Sequence, residues 1–144
     1  MNEIRILKPD DMHLHVRDGA IMANVIQDTA RQFARAIIMP NLSDPIISAF
    51  KAEQYYRAIK ATSTDLEPLM TLYFTDQLSM IELDKVKHSP HIHGVKLYPA
   101  GVTTNSESGI DSINDCFPIF EMIEKKGIPL LLHGEVNDPS VDIF

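Results

Sequence analysis

Two hydrophobic periods take turns along this chain. Short, nearly continuous apolar runs are each followed by a longer stretch whose apolar residues fall three and four positions apart. The runs read as buried strands and the longer stretches as amphipathic helices. Arg5 to Lys8 reads as a minor strand ended by Pro9, and Asp11 to Val16 as the first core strand. Ala20 to Phe33 reads as a helix, with Ile21, Val25, Ile26 and Ala30 at helical spacing. Arg35 to Met39 is a strand stopped by Pro40-Asn41. Ile47 to Ala61 is the next helix, with Ser48 as its cap. Glu67 to Phe74 is a strand, and Ser79 to Val86 a shorter helix with Ser79 at the N-cap and Glu82 at the capping-box position. His93 to Leu97 is the fourth core strand, and Tyr98 to Ile110 a long loop rich in Gly, Thr, Asn and Ser. Ser112 to Lys126 reads as a helix with Phe117, Phe120 and Ile123 on one side, stopped by Gly127. Pro129 to His133 is the last strand.

Strands that alternate with helices predict βαβ units and a parallel sheet. The runs Ala36-Ile37-Ile38-Met39 and Leu130-Leu131-Leu132 are apolar on both faces, as strands covered by helices should be. Residues 1–144 read as a single α/β domain. With 44% hydrophobic and 23% charged residues, the composition is that of a globular chain. A formal net charge of −7 argues against a nucleic-acid or anionic-membrane surface. No apolar run approaches the ~20 residues of a membrane span, and the N-terminus lacks a signal-peptide pattern. Cys116 is the one cysteine, which excludes an internal disulfide and fits a reducing compartment. Cytoplasm is the expectation, with Cys116 as packing.

The polar residues fall at one end of this pattern. His13 and His15 end the first core strand and, by its period of two, share a face that Arg17 continues. Asn41 follows the second strand and Thr75-Asp76 the third. Lys96 ends the fourth, and His133 the fifth. In parallel α/β folds the carboxyl ends of the strands build the active site. An isolated His-x-His is most simply a half-exposed strand, but polar groups ending several strands point to a metal and an anionic ligand. A second His-x-His, His91 and His93 with His88 nearby, precedes its strand and is expected to be solvated or helix-facing. Lys96 is either a snorkelling side chain or a buried amine of lowered pKa, able to take up carbon dioxide as a carbamate.

The block His13-Leu14-His15-Val16-Arg17-Asp18-Gly19 resembles the first-strand signature of dihydroorotases in the amidohydrolase superfamily. Met39-Pro40-Asn41-Leu42, Lys96-Leu97-Tyr98-Pro99-Ala100 and Leu132-His133-Gly134-Glu135 are similar to further blocks in the same order. The Lys-Leu-Tyr-Pro block and the Thr-Thr-Asn after it resemble the bacterial single-function type, class II. The resemblance implies a (β/α)₈ TIM-type barrel carrying two zinc ions. It implies that His13 and His15 ligate one zinc, that a carboxylated Lys96 bridges the two, and that His133 ligates the second and contacts substrate. Arg17 and Asn41 would hold the substrate carboxylate, and the loop with Thr103 and Thr104 would close over it. The reaction implied is the reversible cyclisation of N-carbamoyl-L-aspartate to L-dihydroorotate in pyrimidine (UMP) biosynthesis, by a homodimeric enzyme.

A full barrel has eight strands and typically ~250 residues; five core strands are expected here, an incomplete barrel. The family's sixth-strand histidine and eighth-strand general acid/base aspartate have no match, and Asp138 and Asp142 come too soon. The chain is therefore expected to be the N-terminal part of a dihydroorotase, inactive alone, doubtful in zinc occupancy and prone to self-association. Two alternatives stand: another cyclic amidohydrolase, of dihydropyrimidinase or allantoinase type, and a non-catalytic dihydroorotase-like subunit. The carboxylate-binding pair Arg17 and Asn41 argues against the first.

Overall fold

The computed structural model describes residues 3–63, 65–135 and 140–141; Asp138 and Asp142 lie outside them. The elements run β1 (Asp10–Leu14), α1 (Gly19–Gln32), β2 (Arg35–Ile38), α2 (Ala49–Thr62), β3 (Glu67–Tyr73), α3 (Met80–His88), β4 (Ile92–Leu97), a 3-10 turn (Ile113–Cys116), α4 (Phe117–Lys126) and β5 (Leu130–Leu132). The strands form one parallel sheet in the order β1-β2-β3-β4-β5. Sheet order therefore equals chain order, as in the first five units of a β/α barrel. In a flat sheet the outer strands would stand about 19 Å apart, four spacings of ~4.8 Å. Here the five strands form a curled half-barrel sheet instead.

The core lies between sheet and helices. Ala36, Ile38, Met70, Leu72 and Val95 meet Ile26, Ala52, Ile59, Leu83 and Ile123 in one buried cluster. Ser48 caps α2, its Oγ accepting from Lys51 N at 3.3 Å, and Ser79 caps α3 through Glu82 N at 3.2 Å. Gly127 ends α4 with φ +60°, a left-handed position that suits glycine. Among the described residues no helix is long and apolar enough to cross a membrane.

Four expectations fail locally. Residues 5–8 form no strand; Lys8 instead donates from Nζ to Ala30 O at 2.6 Å, and Ile6 and Leu7 stay exposed. The buried stripe of α1 is Met22, Ile26 and Ala30, while Ile21 and Val25 face out. Glu82 does not close a capping box: its Oε2 accepts from Ala49 N at 2.9 Å and ties α3 to the start of α2. The helix expected from Ser112 begins as a 3-10 turn. Pro118, which has no N–H to donate, sits in the first turn of α4, where that loss costs nothing.

Candidate active site

The site grows from irregularities in the strands. Between Asp11↔Ala36 and Leu14↔Ile38 the register of β1 slips by one residue against β2, a bulge in β1 beside His13. Asp11 Oδ1 accepts from His13 N at 2.9 Å and supports the distorted backbone. Bulges re-aim side chains and recur beside active sites. Here the result is that His13 Nε2 and His15 Nε2 lie 3.1 Å apart. β1 ends at Leu14, so Arg17 does not continue its alternation. It sits in a left-handed turn at φ +58°, and its Nη1 donates to Asn41 O at 3.3 Å.

Lys96 stands next to last in β4, level with Tyr73 of β3 and Leu131 of β5. It is 2% exposed, so it does not snorkel. Its Nζ donates to Leu132 O at 3.0 Å and sits 5.2 Å over the Tyr98 ring. Among the described residues no carboxylate pairs with it. Burial alone pushes its pKa below the usual lysine range. His133 is placed by its N–H, which donates to Leu97 O at 3.0 Å and extends the β4–β5 ladder by one step. Its Nε2 lies 3.1 Å from Glu135 Oε2 but lacks hydrogen-bond alignment, and counts among the buried atoms without a partner.

Both histidines of β1 have lowered pKa values. For His13 burial leads, followed by the charges of Lys96 and His133, with Asp11 opposing; this ring keeps an exposed edge, so burial acts on only part of it. For His15 burial again leads, then Arg17 and His13, while the Asn41 side chain opposes. The two Nε2 atoms stand at hydrogen-bond distance, and burial favours the uncharged ring that a metal ligand has to be. Ligands ~2.0–2.1 Å from a tetrahedral zinc stand about 3.3 Å apart, close to what His13 and His15 present. His15 Nδ1 and Asn41 Oδ1 are buried without partners. Among the described residues no three His, Cys, Asp or Glu side chains gather tightly enough to hold a metal by themselves. Lys96, buried with its amine on the Leu132 carbonyl, lies close enough to this pair for its charge to act on both histidines.

Asn41 is 1% exposed and ties the long loop down. Its Nδ2 donates to Thr104 O at 2.8 Å, and its carbonyl accepts from Asn105 Nδ2 at 3.0 Å. Asn105, at φ +54°, also takes the Tyr73 hydroxyl on its carbonyl at 3.4 Å. Ser106 is fully buried and staples the loop: its Oγ donates to Thr103 O at 2.6 Å and accepts from Thr103 N at 2.9 Å. Thr104 thus lies beside Asn41 through its carbonyl, and Thr103, next to it in the chain, is held by Ser106.

Sequence reasoning missed the aromatic lining. Tyr73 and Tyr98 are buried with ring centroids 5.0 Å apart, and the Tyr98 hydroxyl has no partner. Burial pushes Tyr73 up to about 12, and Tyr98 higher still. Tyr73 reads as strand filler among its apolar neighbours, and Tyr98 as the first residue of the loop, with no sign that the two rings meet. Asp76, which follows β3, lies apart: it lines a 170 Å³ cleft with Asp111, Asp115 and the buried Cys116. The second His-x-His is outside the site. His91 Nδ1 is 2.8 Å from Glu53 Oε2 and its ring stacks on Tyr56, while His93 and His88 are exposed.

No family model matches the chain. It is 53% identical to a dihydroorotase of Cupriavidus necator over 145 positions, covering 99% of this chain and 42% of that protein. It is 51% identical to a dihydroorotase of Methylobacillus flagellatus, with 98% and 42% covered. The chain thus spans about 42% of the length of these curated relatives. Among solved structures, a dihydroorotase of Campylobacter jejuni superposes with TM-score 0.83 at 40% identity, over 91% of this chain and 39% of that one. A dihydroorotase of Saccharomyces cerevisiae in complex with 5-fluoroorotic acid gives 0.82 at 34% identity, over 93% and 38%. An L-hydantoinase of Arthrobacter aurescens, at 16% identity and TM-score 0.67, covering 89% and 29%, shares the fold.

Proposed function

We propose that this chain, which belongs to the dihydroorotase family, supplies the metal-binding and carboxylate-binding side of a dihydroorotase active site. The reaction is the reversible ring closure of N-carbamoyl-L-aspartate to L-dihydroorotate, in the cytoplasm. One observation carries the reading: the His13 and His15 Nε2 atoms, 3.1 Å apart, share the carboxyl end of a parallel sheet with Lys96, buried with its amine on the Leu132 carbonyl.

His13 and His15 would hold one zinc, Lys96 as its carbamate would bridge to a second, and His133 would hold that one. When bound, the zinc pair would polarise the ring amide carbonyl and lower the pKa of a water at the site. Lys96 prepares its own modification. Burial favours the neutral amine, which adds to carbon dioxide, forming one C–N bond and releasing one proton. Arg17 supplies a fixed positive charge for the substrate carboxylate, beside the Asn41 amide. The loop with Thr103 and Thr104, tied to Asn41 through the Thr104 carbonyl, would bring its hydroxyls to the substrate carboxylate and keep water out.

Arg17 and Asn41 favour a substrate with a carboxylate beyond the cyclic amide, and so dihydroorotate over dihydrouracil or allantoin. The test is an assay of the complete gene product on all three, with zinc measured by elemental analysis. Turnover of dihydroorotate with two zincs per subunit is expected. Preference for dihydrouracil or allantoin would move the protein to another cyclic amidohydrolase. No turnover with no bound metal would make it a non-catalytic relative.

A further inference from the structure

We infer that Tyr55 is a positioning residue for Arg17: from the middle of α2 its hydroxyl donates to the Arg17 carbonyl and holds the left-handed turn that aims the guanidinium at the Asn41 carbonyl. This rests on the carboxylate-binding role proposed for Arg17.

A non-glycine residue at positive φ is uncommon and persists only where its surroundings over-determine it. Local structure around Arg17 gives little help. Asp18 is extended, at φ −137° and ψ 179°, and its side chain makes no capping bond to α1. Gly19, at φ +52°, follows with no atom near where a Cβ would stand. The turn 17–19 is therefore held from outside, and Tyr55 is the post. Its ring belongs to the buried stripe Ala52, Tyr55 and Ile59 of α2, and is 6% exposed between two fully buried neighbours. Burial raises the phenol pKa, so it stays a neutral donor. A core tyrosine fixed this firmly turns the Arg17 carbonyl toward α2. With the carbonyl fixed, the side chain reaches Asn41 O through Nη1.

The position also explains why a tyrosine stands in an otherwise apolar stripe. Phenylalanine fills the same space and leaves the Arg17 carbonyl without this donor. The turn can then relax to negative φ, and the guanidinium leaves its place.

Two arms test this on the complete gene product. In the first, Tyr55→Phe should raise KM for dihydroorotate about tenfold, the scale of one lost hydrogen bond, with a much smaller change in kcat. In an Arg17→Ala background, Tyr55→Phe should add nothing to KM. An unchanged KM in the single variant, or an equal effect in both backgrounds, would overturn the inference and leave Tyr55 as core packing. The second arm is a crystal structure of Tyr55→Phe, which needs no activity. Arg17 should move to negative φ with Nη1 away from Asn41 O. A turn that stays at positive φ overturns the inference whether or not dihydroorotate is turned over. Absence of turnover by the unmodified protein would count against the proposed function alone, and the crystallographic arm would still decide the role of Tyr55.

Discussion

His13 Nε2 and His15 Nε2 are 3.1 Å apart, with ring centroids at 5.1 Å. Residues i and i+2 of a regular strand are separated by about 6.6 Å along the backbone. The two rings lean together at their Nε2 tips, beside the bulge in β1. A metal ion bound there would replace that contact with two nitrogen ligands.

Lys96→Ala removes the one buried amine at the strand ends. Metal content of the complete gene product should fall from two zincs to one or none. Activity on dihydroorotate should fall by more than about 10²-fold, since disturbing a metal's outer surroundings alone costs that much. Elemental analysis and steady-state kinetics check it, and a variant with both zincs and near-normal turnover would sink the bridging role.

Replacing Thr103 and Thr104 together by valine should lower kcat/KM for dihydroorotate. Each hydroxyl bonded to a carboxylate is worth ~1.5–3 kcal/mol. The loop should stay in place, because Asn41, Asn105 and Ser106 tie it through other atoms. Kinetics like those of the unmodified protein would leave these residues with a purely connecting part.

Gly109 closes the base of the same loop. A Cβ there would run into the carbonyl oxygens of Tyr98 and Ser106 and the Ala100 amide. All three are backbone atoms and cannot swing aside. Gly109→Ala should therefore break the Ala100–Ile110 and Ile110–Tyr98 backbone bonds. Hydrogen exchange should quicken across residues 100–110, and KM should rise. Protection equal to the unmodified protein would show that the loop base can give.

The Glu53–His91 pair gives a pH signature remote from the site. The His91 hydrogen bond holds the Glu53 carboxyl below its ordinary 4.5, with partial burial opposing. A carboxylate whose folded pKa is depressed stabilises the fold above its unfolded value, and that contribution is lost as pH falls through the folded value. The gap in Tm between the unmodified protein and Glu53→Gln should therefore narrow as pH drops from about 6 to about 3. A constant gap over that range would mean that the pair adds nothing through ionisation.

The order of strands and helices was legible because the two hydrophobic periods differ sharply. The grouping of His13, His15, Lys96 and His133 was legible because each stands within one residue of the carboxyl end of a strand. Other features rest on contacts distant in sequence. Ile21 and Val25 fit a helical stripe as well as Met22 and Ile26 do, and only the sheet beneath α1 chooses between them. The bulge at His13 depends on register against β2. Asn105, Ser106, Tyr73 and Tyr98 look like ordinary loop and strand residues until the loop folds back on Asn41. Tyr55 is 38 positions from Arg17, and no local signal joins them.

Because each strand lies beside the next one in sequence, every strand pairing in the sheet closes a single β/α unit. The two histidines of β1 can face each other once β2 has paired, after roughly a quarter of these residues. Lys96 arrives two βα units later and His133 with the fifth strand. Each pairing spans one helix and its turns, so loop-closure entropy is about the same at every step and grows only slowly with the length closed. The two histidines of β1 and Lys96 therefore meet through three successive pairings, each of them local.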